Sequence, residues 1–284
     1  MTDLAEQIHG TASTIVDLYG PDVVESVYGP EGAPLFQITT GRDGSGVVEA
    51  LHAAGEQTGP ILELGCGYGR LTMPFLDHGY EMVALDISQH MLRLLSDRLS
   101  DTAPTDTASR VTLVQGDMAD FDLGRSFDLV LAGSSAIWEL DAGRRASMLR
   151  CVRDHLTDDG RFLAQVTLFG EFDGRGENGA RESIAVFTID DARSPLLCTL
   201  FDYSAPDVGV RSGNILVHRL ENGRVTATRI FTNTIHPVPR AALEAEIEQA
   251  GLKIVKWHDI EAHGPSVEVS DIRTECSLVE MCRA

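Results

Sequence analysis

The sequence predicts an α/β protein built on a doubly wound, mostly parallel sheet, with an inserted antiparallel β-sheet subdomain. Three observations carry this. Between residues 60 and 168 short apolar runs alternate with runs of helical period, and strands interleaved with helices bury both faces of a parallel sheet. After Gly170 that alternation stops and four strand-like runs follow one another. Between the last two stands Asn222-Gly223, a dipeptide suited to the left-handed backbone of a two-residue hairpin turn.

In chain order, residues 3–28 read as helical, with Ile8, Ile15, Leu18, Val23, Val24 and Val27 near helical spacing and a break at Gly20-Pro21. Residues 29–46, rich in Gly and Pro, read as a loop, and 47–54 as a helix. The core series then runs strand 61–64, helix 70–77, strand 82–85, helix 89–99, strand 111–115, strand 127–132, helix 142–156 and strand 161–168. Right-handed crossovers wind such a series onto both faces of its sheet. A polar stretch over 171–182 leads into strands 184–189, 196–203, 215–220 and 225–232. A helix over 240–249, closed by Gly251, precedes strands 252–257 and 275–281. The expected domains are an N-terminal helical cap (1–57), the core (58–169), the inserted strands (170–239) and a C-terminal helix and strands completing the core sheet (240–284).

Composition limits the function classes. With 284 residues, 43% of them hydrophobic, the chain can bury a full core. No run approaches the roughly 20 apolar residues that span a bilayer, and Met-Thr-Asp-Leu-Ala-Glu has neither the basic patch nor the apolar core of a signal peptide. The expectation is a cytoplasmic protein with no membrane partner. The five cysteines form no C-x-x-C pair and no zinc-like cluster with histidines, so neither disulfide nor metal is expected. A formal charge of -20 argues against nucleic acid, whose binding relies on Lys and Arg neutralising phosphates. The same field draws a cationic amine and repels an anion, although surface acid also serves solubility.

The chemistry-bearing residues sit at strand ends. After the first strand of the series comes Glu63-Leu64-Gly65-Cys66-Gly67-Tyr68-Gly69-Arg70. Glycines at that spacing let the backbone turn tightly and approach a ligand. A dinucleotide fingerprint would read G-x-G-x-x-G, and a phosphate loop would add a lysine; neither is present. Asp86 closes the second strand, 21 residues after Gly65, where a carboxylate can accept from two ribose hydroxyls. Gly116-Asp117-Met118 follows the third, so Asp117 can accept from an adenine amino group while Met118 packs beside the ring. Cys66 reads as a small turn residue, and Glu63 either orients the glycine loop or touches the ligand.

Together with Phe127-Asp128-Leu129-Val130, these segments resemble the successive motifs of class I S-adenosylmethionine-dependent methyltransferases over residues 58 to 168. The resemblance implies a Rossmann-like core with S-adenosyl-L-methionine as cofactor. It implies further that Gly65 and Gly67 contact the methionine part, Asp86 the ribose, and Ile87, Asp117 and Met118 the adenosine end, with Ala132 also in the donor site. Upstream, Arg42 stands where similar small-molecule methyltransferases carry an arginine that grips the donor carboxylate, a suitable task for a guanidinium fork. The alternative for Arg42 is an ordinary loop residue; for Arg70, a donor contact stands beside a helix-surface role.

On the acceptor side, Ala132-Gly133-Ser134-Ser135-Ala136-Ile137-Trp138-Glu139 follows the fourth strand. The segment lacks the N/D-P-P-Y pattern of enzymes acting on adenine, cytosine or glutamine amides. It also lacks the paired acids followed by Asn of metal-dependent catechol O-methyltransferases. Methyl transfer from a sulfonium needs mainly alignment and desolvation. A protonated amine also needs a base, for which Glu139 and His236 are candidates. Trp138 could hold a cationic nitrogen against its face, and Tyr28 and Tyr203 could lid the pocket. Each also has a plain reading: Trp138 and Glu139 as a packed helix, His236 as a solvated loop residue, the tyrosines as core.

The inserted strands, Ile235-His236-Pro237-Val238-Pro239 and the helix ending Glu248-Gln249-Ala250-Gly251-Leu252 resemble the layout of glycine- and aminosugar-N-methyltransferase-like enzymes. The chain is also similar to methyltransferases of actinobacterial natural-product pathways, including those that dimethylate the terminal amine of daptide-type peptides. That resemblance implies N-methylation of an amine on a small molecule or modified peptide in specialised metabolism, with O-methylation of a hydroxyl and a non-catalytic donor-binding module as the alternatives. The inserted sheet is expected to serve as a lid or a homodimer surface.

Overall fold

The computed structural model describes residues 4–40, 46–57, 59–102, 104–133, 136–169, 180–190, 195–205, 209–260 and 274–284. The first elements are helix α1 (Thr11–Tyr19), strand β1 (Val24–Ser26) and helices α2 (Gly32–Thr40) and α3 (Val47–Ala54). The alternating series follows as β2 (Ile61–Leu64), α4 (Thr72–Asp77), β3 (Met82–Asp86), α5 (Gln89–Thr102), α6 (Thr105–Ala108), β4 (Val111–Gln115), β5 (Phe127–Ala132), α7 (Ala142–His155) and β6 (Leu156–Phe169). Strands β7 (Arg181–Ile189), β8 (Leu196–Ala205), β9 (Val210–Glu221) and β10 (Arg224–Ile235) come next, then α8 (Arg240–Gln249), β11 (Leu252–Asp259) and β12 (Thr274–Arg283).

Two compact units result. The larger comprises Gln37–Gly170, Val238–Pro265 and Arg273–Ala284. Its sheet has the order β11-β12-β6-β5-β2-β3-β4. β2 pairs in parallel with both β3 and β5, β3 with β4, and β5 with β6, whereas β12 runs antiparallel to β6. The chain order reverses between β2 and β5, and in open α/β sheets ligands bind beyond the carboxyl ends of the strands at such a switch. All of β2 and β3 is buried, the burial expected of central parallel strands. Phe75, Leu76, Leu95, Leu129 and Leu163 form the core between sheet and helices. Arg161 ties α3 to this sheet: its guanidinium donates to the carbonyls of Ala53 and Ala54 and to Glu280.

The smaller unit comprises Met1–Phe36, Glu171–Pro237 and Ser266–Ile272. Its sheet has the order β1-β10-β9-β8-β7, antiparallel except for β1. Both faces carry apolar residues. Cys198, Val217 and Phe231 pack with Val27 and Leu35, while Phe201, Leu216 and Ile230 pack with Ile8, Ala12 and Val16. Asn222 and Gly223 have φ of +51° and +74°, the two left-handed residues of a primed hairpin turn between β9 and β10.

Two expectations are corrected. Residues 3–28 are not one helical stretch: α1 ends at Tyr19, Gly20 has φ +86°, and Val24–Ser26 form a strand paired with Ile230–Thr232. β-branched Val23 and Val24 suit the sheet as well as a helix, and β10 offered an edge. Within residues 29–46, read as loop, Gly32–Thr40 is helical. Pro34 falls in the first turn, where its missing N–H has no helical partner to lose.

Candidate functional site

At the carboxyl end of β2 the chain enters the glycine turn. Gly65, Gly67 and Gly69 have φ of +66°, +55° and +86°, a region that costs other L-residues about 1–2 kcal/mol each. The turn is fastened by Cys66 N–H to the Leu85 carbonyl (3.0 Å) and Gly69 N–H to the Cys66 carbonyl (3.0 Å). Arg98 of α5 reaches the carbonyls of Tyr68 (3.5 Å) and Gly69 (3.3 Å). The three glycines face different surroundings. A Cβ on Gly69 would collide with Leu95, and one on Gly65 would lie 3.2 Å from Ala136 Cβ, but one on Gly67 would meet nothing within 4 Å. The middle of the turn is therefore an open cradle whose backbone a ligand can approach.

Asp86 binds that turn to the next. Its Oδ2 accepts from Gly67 N–H at 2.8 Å and its Oδ1 from Ser88 N–H at 2.7 Å. Burial pushes its pKa up, against the lowering effect of those two bonds. Each carboxylate oxygen can accept twice, so acceptor capacity remains. Ile87, the next residue, is 62% exposed, an apolar side chain left open beside a buried acid.

Glu63 lies inside β2, 2% exposed, where its Oε2 accepts from Thr72 Oγ1 at 2.6 Å. Burial raises its carboxyl pKa from the ordinary 4.5 to about 7, despite the Thr72 hydroxyl and the Arg70 charge. Its hydroxyl partner, Thr72, is the first residue of α4, the helix that follows the turn. Arg70 donates through Nη2 to Oε1 of Gln165 on β6 at 2.7 Å, so it crosses the strand ends rather than lying on the helix surface.

Asp117 and Met118 follow β4, as expected. Asp117 Oδ1 accepts from Ala119 N–H at 2.9 Å, and Arg144 Nη2 lies 2.9 Å from Oδ1 and 2.7 Å from Oδ2. Met118 Sδ would lie 3.8 Å from a Cβ on Gly65, placing it over the start of the turn. Ala132 ends β5 opposite Leu64 and is buried. Arg42 lies outside the described residues.

The acceptor-side candidates fare differently. Trp138, in the short 3-10 helix Ala136–Glu139, is fully buried, and the Arg145 guanidinium carbon sits 5.1 Å from its ring centre. The ring face toward Arg145 is thus occupied by a neighbour that is itself buried. Arg145 donates to both oxygens of Glu246 (2.6 and 2.9 Å) and to the Leu140 carbonyl (2.7 Å). Glu139 is partly exposed in the larger unit. His236, Tyr28 and Tyr203, all partly exposed, belong to the smaller unit. There Tyr28 packs edge-on against Phe36 at 5.3 Å and Tyr203 against His9 at 5.5 Å.

Sequence reasoning missed Arg98, Arg144 and Gln165. For Arg144 a signal was present: Arg144-Arg145 stand in the first turn of a helix after Asp141, where the helix dipole favours acids. No helix among the described residues is long and apolar enough to cross a membrane.

A family model described as a methyltransferase domain matches residues 61–160. A magnesium-protoporphyrin O-methyltransferase of Rhodobacter capsulatus is 34% identical over 102 residues, 36% of this chain and 43% of that protein. The chain spans between 19% and 56% of the length of the curated relatives it matches. Among solved structures, the methyltransferase CcbJ from Streptomyces caelestis has a TM-score of 0.71 at 23% identity, over 91% of this chain and 98% of that one. The glycopeptide N-methyltransferase MtfA, solved with S-adenosyl-L-methionine, has a TM-score of 0.59 at 28% identity, over 86% of this chain and 95% of that one. Residues 61–160 are therefore a methyltransferase domain, carried on the class I S-adenosyl-L-methionine-dependent methyltransferase fold.

Proposed function

We propose that the chain is an N-methyltransferase that takes S-adenosyl-L-methionine as donor and an amine of a small molecule or modified peptide in specialised metabolism as acceptor. The observation that carries this reading is the likeness to a glycopeptide N-methyltransferase over 86% of this chain and 95% of that one. Similarity to the O-methyltransferase extends over 36% of this chain and 43% of that protein, and so carries less weight for the acceptor. O-methylation of a hydroxyl is the second reading, and donor binding without catalysis a third.

The residues fit the donor. The Gly67 cradle leaves room for its methionine end, with Gly65 and Arg42 as further contacts there and Arg70 near the same strand ends. Asp86 accepts from the ribose, Ile87 and Met118 offer apolar surface to the adenine, Asp117 accepts from its amino group, and Ala132 walls the site. Glu63 supports the turn from below through Thr72. When bound, the donor supplies an electrophilic methyl group on a sulfonium. The chain's own task is then to align an uncharged amine in a site closed to water and to remove one proton. Glu139 and His236 are the candidate bases, while Tyr28 and Tyr203 contribute to a lid over 170–239. The net charge of -20 favours a cationic acceptor over an anionic one.

The inserted sheet also suits a homodimer. β7 lies at its edge, with Ile184 and Val186 exposed by 53% and 66%. Incubation with methyl-labelled donor and matched pairs of amino and hydroxyl compounds tests the function. Label on nitrogen supports the proposal; label only on oxygen favours the second reading, and donor binding without any S-adenosylhomocysteine formed favours the third.

A further inference from the structure

The geometry points to Arg144 as a positioning residue that makes the donor subsite selective for a purine with an exocyclic 6-amino group, an inference that rests on the donor reading above. Asp117 is held from two directions. Ala119 N–H and Arg144 Nη2 both donate to Oδ1, which uses its two acceptor directions, while among the described residues Oδ2 accepts from Arg144 and keeps one direction. A carboxylate so fixed presents an acceptor-only edge. It takes an amino N–H and opposes a carbonyl oxygen.

Surface ion pairs of this kind contribute little to stability, and these side chains are 49% and 30% exposed. The position is also unfavourable for a cation, because the first turn of α7 holds no acid and two arginines. A pair that does little for the fold and breaks a local rule suggests use elsewhere. Its base is rigid. Asp141 caps the helix by accepting from Arg144 N–H at 2.9 Å, and the next residue, Arg145, is locked by Glu246 and the Leu140 carbonyl. Arg144 therefore reaches Asp117 from a fixed point and sets the direction of its carboxylate.

The test is calorimetric titration of S-adenosylhomocysteine and its 6-oxo counterpart, S-inosylhomocysteine, into wild type, Arg144→Met and Arg144→Lys. Wild type should prefer the amino ligand by about ten- to a hundredfold, the range of a hydrogen bond to a charged group. Arg144→Met should cut that preference to within about threefold, and Arg144→Lys, which keeps a donor, should retain most of it. Asp117→Asn, whose new amide can donate to a 6-oxo group, should shift the preference toward the inosyl ligand. An unchanged ratio in Arg144→Met, with or without equal weakening of both ligands, overturns the inference and leaves the pair a structural one. If Arg144→Met does not fold, an unshifted preference in Asp117→Asn overturns it instead. If wild type binds neither ligand, the donor reading itself fails and the inference falls with it.

Discussion

Replacing Asp86 by Asn separates the two tasks assigned to that carboxylate. In the folded protein it accepts from Gly67 N–H at 2.8 Å and Ser88 N–H at 2.7 Å, and it is 8% exposed. An amide keeps one acceptor oxygen and turns an NH2 toward the other N–H, so one backbone donor goes unsatisfied where little water reaches. Losing one such bond costs about 1–3 kcal/mol, eased because the neutral amide avoids the burial penalty that raises this acid's pKa. A net loss of about 1–2 kcal/mol in chemical denaturation is expected. Donor affinity carries a further loss, since the charged acceptor for the ribose is gone: titration with S-adenosylhomocysteine should show about ten- to a hundredfold weaker binding. Stability lost with unchanged affinity would refute the ribose assignment and leave Asp86 as a clip between two turns. No change in either would refute the hydrogen bonding itself.

The glycine turn offers a contrast: Gly69→Ala, blocked by Leu95, should destabilise the fold by about 2–4 kcal/mol, whereas Gly67→Ala should cost about 1 kcal/mol of stability yet weaken donor binding more than Gly69→Ala does per kcal/mol lost. Melting curves with and without S-adenosylhomocysteine separate the two. Glu63 sets a pH dependence. Its folded pKa of about 7 lies above the ordinary 4.5, so its stabilising share is complete below the ordinary value and disappears as pH rises through about 7. Wild type should lose up to about 3 kcal/mol relative to Glu63→Gln over that window, and a pH-independent difference in denaturation midpoints would contradict this. Arg145→Met leaves Glu246 and the Leu140 carbonyl without their donor and should cost about 3–5 kcal/mol; a melting temperature equal to wild type would show that the pair is not needed.

The core was legible because burial on both faces writes parallel strands as apolar runs, and because three strand ends each carry their polar residue directly after the run: Gly65 to Gly69, Asp86 and Asp117. Spacing along the chain then stands for adjacency in space. β1 was not legible, since three residues of β-branched and polar character become a strand only when β10, some 200 positions later, offers an edge. The surroundings of Trp138 were not legible for a related reason. An indole beside a candidate site looks available in sequence, and only the fold shows Arg145 on its face. The Arg144–Asp117 pair joins positions 27 apart on different elements, which no local period reveals. His236, Tyr28 and Tyr203 depend on a layout that the core motifs do not fix, and so the acceptor half was harder to read than the donor half.

The most direct test of the account is mass spectrometry of products formed from methyl-labelled S-adenosyl-L-methionine and an amine-bearing acceptor, such as an amino sugar or a peptide with a free amino terminus. The hydroxyl analogue of each acceptor serves as the control. N-methylation predicts label on nitrogen with an equal amount of S-adenosylhomocysteine, and none on the hydroxyl analogue. Methylation of the hydroxyl compound with the amine left untouched would contradict it.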